Sequence, residues 1–590
     1  MGAPALSPAR RYEDLGRLGH EEFDVLVVGG GVTGAGAALD AATRGLRVAL
    51  VEAQDWASGT SSRSSKLVHG GLRYLQQFDF HLVHEALQER SRLLGEIAPH
   101  LVHPVAFLYP LRTPVVERVY VGAGIALYDA LAWSTRRTGG LPWHRHLSRH
   151  RALGLAPGLR PDSLAGAIEY YDAQVDDARF VLEAVRTAVA FGAVACNRSE
   201  VVEFRREDSR VCGARVRDTE TGKDLDVRAA VTVMATGPWT EDTEGIAGQT
   251  RSVKVRPSKG VHLVVPKDRI DSSIALVVRT ERSVLFVLPW GDHWLIGTTD
   301  TEWDDEKARP IATRADVDYL LSQVNRVLNR PLRVDDVEVT FAGLRPLVAG
   351  VGVVRGPGEA GAKRLDRMRT REPQTTKISR EHAVAKPAPG LVVISGGKFT
   401  TYRVMAADVV DAAVAEGSFA VGSSVTGSVR FVGAEDYDVW RNRLPSLAVA
   451  HRVPDSLVAH LFGRYGALTG EVLGLIDADR TLVEPVPGAP GYVMAEVAYA
   501  VSHEGARHLD DVLLRRTRAG VETPDAGLAA TPAVAAVMAR MLGWDARTLA
   551  SETEAYRRTV ALEYLVADRP SDDAEAARRA KETASFLPLP

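Results

Sequence analysis

The stretch FDVLVVGGGVTGAGAALDAATRGLRVALVE, residues 23–52, limits what this chain can fold into more than any other. Residues 25–28 are continuously apolar, the pattern of a strand buried on both faces of a parallel sheet. A glycine turn follows, then an alanine-rich helix to about residue 43, a stop at Gly45 and a second strand over 47–51. This is a βαβ unit of about 30 residues. Gly29, Gly31 and Gly34 fit GxGxxG. The first allows the tight turn, the second lets backbone approach a pyrophosphate, and the third lets helix and strand pack closely. The helix N-terminus adds free N–H groups and a positive dipole end. Glu52 closes the second strand, where a carboxylate accepts hydrogen bonds from a ribose diol. GxGxxG alone is also what a glycine-rich core turn looks like. Strand, helix and Glu52 in register make it a dinucleotide site.

The dinucleotide is FAD rather than NAD. An NAD domain continues as a compact βαβαβ sheet, whereas Glu52 is followed by DWASGTSSRSSKLVHGGLRYL, dense in small polar residues. The next sheet strands do not arrive until residues 230–235 and 391–394. After the first, Thr236 and Gly237 in MATGPW resemble the ATG motif that passes beside a bound dinucleotide; a strand-ending turn looks the same. After the second, Gly396 and Gly397 lead into an amphipathic helix whose N-terminus would stabilise negative charge on a reduced flavin, with Thr400 in its first turn. Lys398 stands at that N-terminus against the helix dipole, which an anionic flavin or substrate explains. Thr60, Ser61, Ser62, Ser64, Ser65 and Lys66 supply hydroxyl and N–H donors for the pyrophosphate and ribityl chain. Val201 and Val202 would bring strand backbone to the adenine edge.

The rest of the chain sets the frame. Hydrophobic residues at 45% and charged residues at 25% describe a globular protein. A net charge of −3 removes any whole-chain argument for nucleic-acid binding. Two cysteines, Cys196 and Cys212, build neither a disulfide framework nor a four-thiolate site, and no metal is expected. The N-terminus lacks the apolar core of a signal peptide, and no apolar run reaches the ~18 residues of a spanning helix. A reducing cytoplasm follows, with the chain free or on a membrane surface. Residues 253–266 and 283–299 alternate apolar and polar, the mark of antiparallel strands. From about residue 432 the pattern is helical.

At GTSSRSSKLVHGGLRYL, with LVHEALQER, the chain resembles the FAD-dependent glycerol-3-phosphate dehydrogenases. YYDAQVDDARFVLEAV, ATGPW, IGTTDTEW, GLRPL and SGGKFTTYR support this in order, and HEGARHLDDVLLRRTRAG extends it into the C-terminal segment. The resemblance implies an α/β fold. A Rossmann-like FAD-binding domain of the glutathione-reductase/D-amino-acid-oxidase type is interleaved with an antiparallel-sheet substrate domain, and a helical C-terminal domain follows. The boundaries expected are a flexible extension over 1–20, the FAD-binding domain over 21–100, 160–250 and 375–425, the substrate domain over 101–159 and 251–374, and the helical domain over 426–590. The activity implied is oxidation of sn-glycerol 3-phosphate to dihydroxyacetone phosphate by hydride transfer from C2 to flavin N5. Electrons then pass to membrane quinone; the alternative is an oxidase that uses oxygen and releases peroxide. The partners implied are glycerol 3-phosphate, quinone and an anionic phospholipid surface on the inner face of the cell membrane. No nucleic acid is among them, and a homodimer is compatible with all of this.

A phosphate dianion calls for clustered cations, preferably guanidinium forks. Carried over by motif, these are Arg73, Arg345, Arg380 and Lys398, with Tyr74 walling the glycerol. The C2 hydroxyl proton calls for a base, and histidine suits physiological pH. His262, on the alternating strand, competes with His69, which precedes Gly70 and Gly71; His262 is preferred, and an arginine or water is the other option. Asp176 and Asp177 are read as helix caps. Residues 131–151 mix Trp133 and Trp143 with Arg and His, as an interfacial anchor does. Lys363, Arg364, Arg367 and Arg371 share one side of residues 362–372 if that stretch is helical, which suits anionic lipid. The role of residues 350–372 is otherwise open.

Overall fold

The structure is a computed structural model that describes residues 4–77, 79–134, 140–248, 252–280, 284–351, 381–566 and 569–584. The βαβ unit forms as its sequence dictates: strand Glu22–Val28, helix Val32–Thr43, strand Val48–Val51. Val25, Leu26 and Val27 are fully buried, and burying each such side chain is worth roughly 1.5–3 kcal/mol. These strands sit in a sheet ordered His382–Ala388, Leu391–Gly396, Lys223–Met234, Glu22–Val28, Val48–Val51, Val194–Cys196. The last five run parallel. Helix Val32–Thr43 packs on one face between Asp177–Ala190 and Tyr402–Gly417. The FAD-type unit is therefore assembled from three separated stretches of chain.

A ten-stranded second sheet stands beside it. Its centre is strand Val253–Pro266, antiparallel to His293–Gly297 on one side and to Val339–Val351 on the other. Strand Gly166–Val175 also belongs here, paired along its length with Val102–Leu111. That corrects the assignment of residues 160–175 to the FAD-binding domain; the strand's partners lie in the second sheet. Among the described residues of 437–584 the regular elements are helices apart from one small hairpin, Pro485–Val486 with Ala489–Val493.

The extension expected over 1–20 is instead a helix, Pro8–His20, over most of its length. Ser7 caps it, Pro8 fits its first turn, and Arg10 and Arg17 pair with Asp14. Leu18 and Asp14 are buried beneath it, and Arg11 reaches Asp218 at 2.7 Å. Its polar composition conceals this, because the buried face is narrow.

The apolar run at 119–133 lies in helix Val116–Ser134. Val121, Ile125 and Tyr128 face inward, whereas Val116, Val119, Tyr120, Leu127 and Trp133 are exposed, Val116 at 75% and Trp133 at 60%. Among the described residues no helix is long and apolar enough to cross a membrane.

Candidate active site

A cavity of about 560 Å³ runs from the glycine turn to the second sheet. At the turn, Gly29 has φ +109°, and a Cβ on Gly34 would collide with the Gly29 carbonyl. Only glycine permits the two segments this approach. Ser61 Oγ accepts the Val32 N–H at 2.9 Å and so ties the serine loop to the helix N-terminus. Glu52 accepts the N–H groups of Gly30 at 2.6 Å and Gln54 at 2.8 Å. Burial, against those two bonds, raises its carboxyl pKa. Thr236 adds a buried hydroxyl on the cavity wall with no protein partner. An open helix N-terminus, a carboxylate at the second strand end and an orphaned hydroxyl fit a dinucleotide.

The cavity is lined at this end by Gly29, Gly31, Glu52, Thr60, Ser61, Ser64, Ser65, Thr236 and Gly237, and further along by Gly397, Lys398 and Thr400. Three expected contacts are corrected. Lys66 turns away through a left-handed backbone (φ +59°) and donates instead to Asp177 at 2.6 Å and to the Ser62 carbonyl at 2.5 Å. Burial and the Arg518 charge, against Asp177, lower its pKa to about 8. Ser62 is buried and does not line the cavity. Along strand Ser199–Glu207 it is Val201 that lines the cavity, and Val202 is not part of the lining. Gly34 contributes by packing only.

At the far end the second sheet contributes His262 and Arg345 from neighbouring strands. His262 stacks on Phe341, ring centroids 4.7 Å apart, and its Nε2 meets Ser65 Oγ at 2.9 Å. Two glycines make room: a Cβ on Gly297 would strike the His262 ring, and one on Gly260 would strike the Arg345 guanidinium. Burial first, then the charges of Arg345 and Lys66, drive the His262 pKa well below the ordinary 6.5. The ring is neutral at physiological pH. Arg345 donates to the Thr299 carbonyl at 3.2 Å and to Thr298 Oγ1 at 3.0 Å.

Across the cavity, Lys398 Nζ stands 3.7 Å from the Tyr74 ring centroid. His69 lines the same wall, its ring edge-on to Phe286 at 6.3 Å and its N–H donated to Thr400 Oγ1 at 3.1 Å. The structure thus brings His69, Tyr74, His262, Arg345 and Lys398 to one chamber. Arg380 and the Arg73 side chain lie outside the described residues, as do Lys363, Arg364, Arg367 and Arg371. Sequence reasoning passed over Arg63, which lines the cavity while paired with Glu563 at 2.9 Å. It sits within the quoted serine stretch, but its partner is in the C-terminal domain. Asp176 caps helix Asp177–Ala190 as expected. Asp177 does more: besides Lys66 it accepts Ser64 N–H at 3.0 Å, Ser64 Oγ at 2.6 Å and the Arg518 guanidinium.

Residues 24–410 match the FAD dependent oxidoreductase family, and residues 424–549 match the C-terminal domain of alpha-glycerophosphate oxidase. Over 97% of this chain and 93% of the relative, it is 49% identical to a glycerol-3-phosphate dehydrogenase of Mycobacterium leprae (strain TN). The chain belongs to the FAD-dependent glycerol-3-phosphate dehydrogenase family. The mitochondrial glycerol-3-phosphate dehydrogenase of Homo sapiens is 37% identical over 91% of this chain and 73% of that protein. Among solved structures, the glycerol-3-phosphate dehydrogenase from Bacillus halodurans, complexed with FAD, matches with a TM-score of 0.76. It is 28% identical over 94% of this chain and 98% of that one. An L-alpha-glycerophosphate oxidase from Mycoplasma pneumoniae shares the fold at a TM-score of 0.50 and 18% identity over 70% of this chain. As a member of this family of dehydrogenases the chain is an FAD enzyme.

Proposed function

We propose that the chain oxidises sn-glycerol 3-phosphate to dihydroxyacetone phosphate and delivers the electrons to a membrane quinone. The observation that carries this reading is the chamber where two cations, Arg345 and Lys398, meet a neutral buried histidine at the end of a dinucleotide cavity. Bound FAD supplies the two-electron acceptor. The residues do the remainder. Arg345 and Lys398 hold the phosphate dianion, and Arg345 is already aimed by its two bonds to residues 298 and 299. Tyr74 walls the glycerol under Lys398. As C2 gives up hydrogen with its electron pair, the C2 hydroxyl loses its proton to His262. The Nε2 edge shared with cavity-lining Ser65 receives it. His69, held through its backbone to Thr400, is the second candidate for that proton.

Delivery to quinone rests on the outer face of helix Val116–Ser134. Its apolar stripe is exposed, as are Arg112 just before the helix and Arg145, Arg149 and Arg151 after it in the chain, a combination that suits an anionic lipid surface on the cytoplasmic side. Anaerobic addition of glycerol 3-phosphate to the purified protein tests the chemistry: the bound flavin should bleach. Reoxidation by quinone and by oxygen in parallel then separates the two acceptors. Peroxide released as fast as substrate is lost would establish the oxidase instead. Flavin that stays oxidised refutes the substrate.

A further inference from the structure

We propose that Tyr128 is a positioning residue for this reaction, its hydroxyl fixing the loop that presents His69 and Tyr74 to the cavity. Tyr128 stands on the inner face of helix Val116–Ser134, fully buried and outside the cavity wall. Its Oη accepts the Gly70 N–H at 2.8 Å and donates to Asp172 Oδ1 at 2.7 Å. Arg90 pairs with the same carboxylate oxygen and donates to the Tyr171 carbonyl at 3.2 Å, so the acceptor of the phenol is itself fixed. Burial and the Asp172 charge keep the phenol protonated.

The fit around Gly70 is close. A Cβ there would stand 2.7 Å from Tyr128 Oη and 2.6 Å from Leu87 Cδ2. The loop is tied at His69 by Thr400 Oγ1 and at the next residue by Tyr128. Beyond these ties the chain turns through Gly71 (φ +75°) and reaches Tyr74, on whose ring Lys398 rests. Without the hydroxyl, the Gly70 N–H and Asp172 each lose a buried partner, and His69 and Tyr74 lose a fixed origin. The kinetic consequence rests on glycerol 3-phosphate being the substrate; the anchoring does not.

The test is Tyr128→Phe in the FAD-loaded full chain, which keeps the ring and removes the hydroxyl. Amide hydrogen exchange in a peptide covering residues 69–75 should rise about tenfold, with strand Glu22–Val28 unchanged. The kcat/KM per bound flavin for glycerol 3-phosphate should fall about tenfold. That loss should vanish when His69→Ala and Tyr74→Ala are already present, because the groups being positioned are gone. Unchanged loop exchange, or kinetic losses that simply add, overturns the proposal. A wild-type protein inert to glycerol 3-phosphate refutes the substrate assignment and leaves the exchange result to decide Tyr128. Should Tyr128→Phe not fold, Asp172→Asn serves: it loosens the hydroxyl's acceptor, and unchanged loop exchange there is likewise fatal.

Discussion

A buried histidine stacked on Phe341 with Arg345 and Lys66 nearby stays unprotonated at pH values where a free imidazole carries charge. Because the shift is downward, the neutral form persists as pH falls past 6.5 and is lost only well below it. If His262 takes the proton, the acid limb of kcat should lie well below pH 6.5 and disappear in His262→Ala. An acid limb at or above 6.5 would point to His69 or another group. Arg345→Lys keeps the charge but loses the fork that reaches both residue 298 and residue 299. Its kcat/KM should fall about 10- to 100-fold, mostly through KM, as steady-state kinetics would show. At this scale the glycine turn was legible because each glycine answers a local demand of the backbone. Lys66 was not. Its partner Asp177 lies 111 positions away and Arg518, which shares that carboxylate, lies 341 beyond it. Nothing in the local pattern announces that the amine is already spoken for.

Helix Val116–Ser134 is apolar on both faces, so its composition marks it as unusual without saying which side meets the protein. The fold decides this: Val121, Ile125 and Tyr128 are used inside, and the stripe from Val116 to Trp133 is left over. Replacing Val119, Tyr120, Leu127 and Trp133 with serine should cost about 2 kcal/mol of stability at most, since exposed positions cost about 0.5 kcal/mol or less each. Binding to vesicles containing anionic lipid should fall by at least tenfold in co-sedimentation. Equal binding would move the membrane contact elsewhere. The same limit explains the misread first helix. Pro8–His20 buries a narrow stripe against a partner far along the chain, which a short polar segment does not display. Strand 391–394 was legible because an unbroken apolar run reports cover on both faces; strand 253–266 was found from its alternation, although residues 257–265 are all buried because the fold covers its polar positions too.

Across the whole molecule the helical domain is joined to the rest by charges hidden from water. Arg516 and Arg515 meet Asp55, Arg179 meets Glu504 at 2.8 Å, Arg198 meets Asp511 at 2.8 Å, and Arg63 meets Glu563. His508 bridges Glu220 at 2.8 Å and Glu552 at 2.9 Å. Burial and Arg198 oppose its charge, but the two carboxylates outweigh them and raise its pKa to about 10. Burial is likewise outweighed at Glu220, which His508, Arg507 and Arg198 hold far below its usual range. The raised group stabilises the seam below pH 6.5 and loses its effect as pH climbs through about 10. The depressed group stabilises it above pH 4.5 and loses its effect as pH drops below that. Thermal inactivation should therefore be slowest on a plateau between these limits and quicken on both sides. Glu220→Gln should flatten the loss on the acid side, read as inactivation rate against pH, because the amide has no proton left to gain.

Arg518 fixes Asp177, and Asp177 fixes Ser64 of the cofactor loop. During translation that loop must wait for the ribosome to deliver residue 518 before it can settle. A nascent protein halted just short of that arginine should emerge with its yellow pigment poorly retained, however complete the glycine turn some 480 residues upstream.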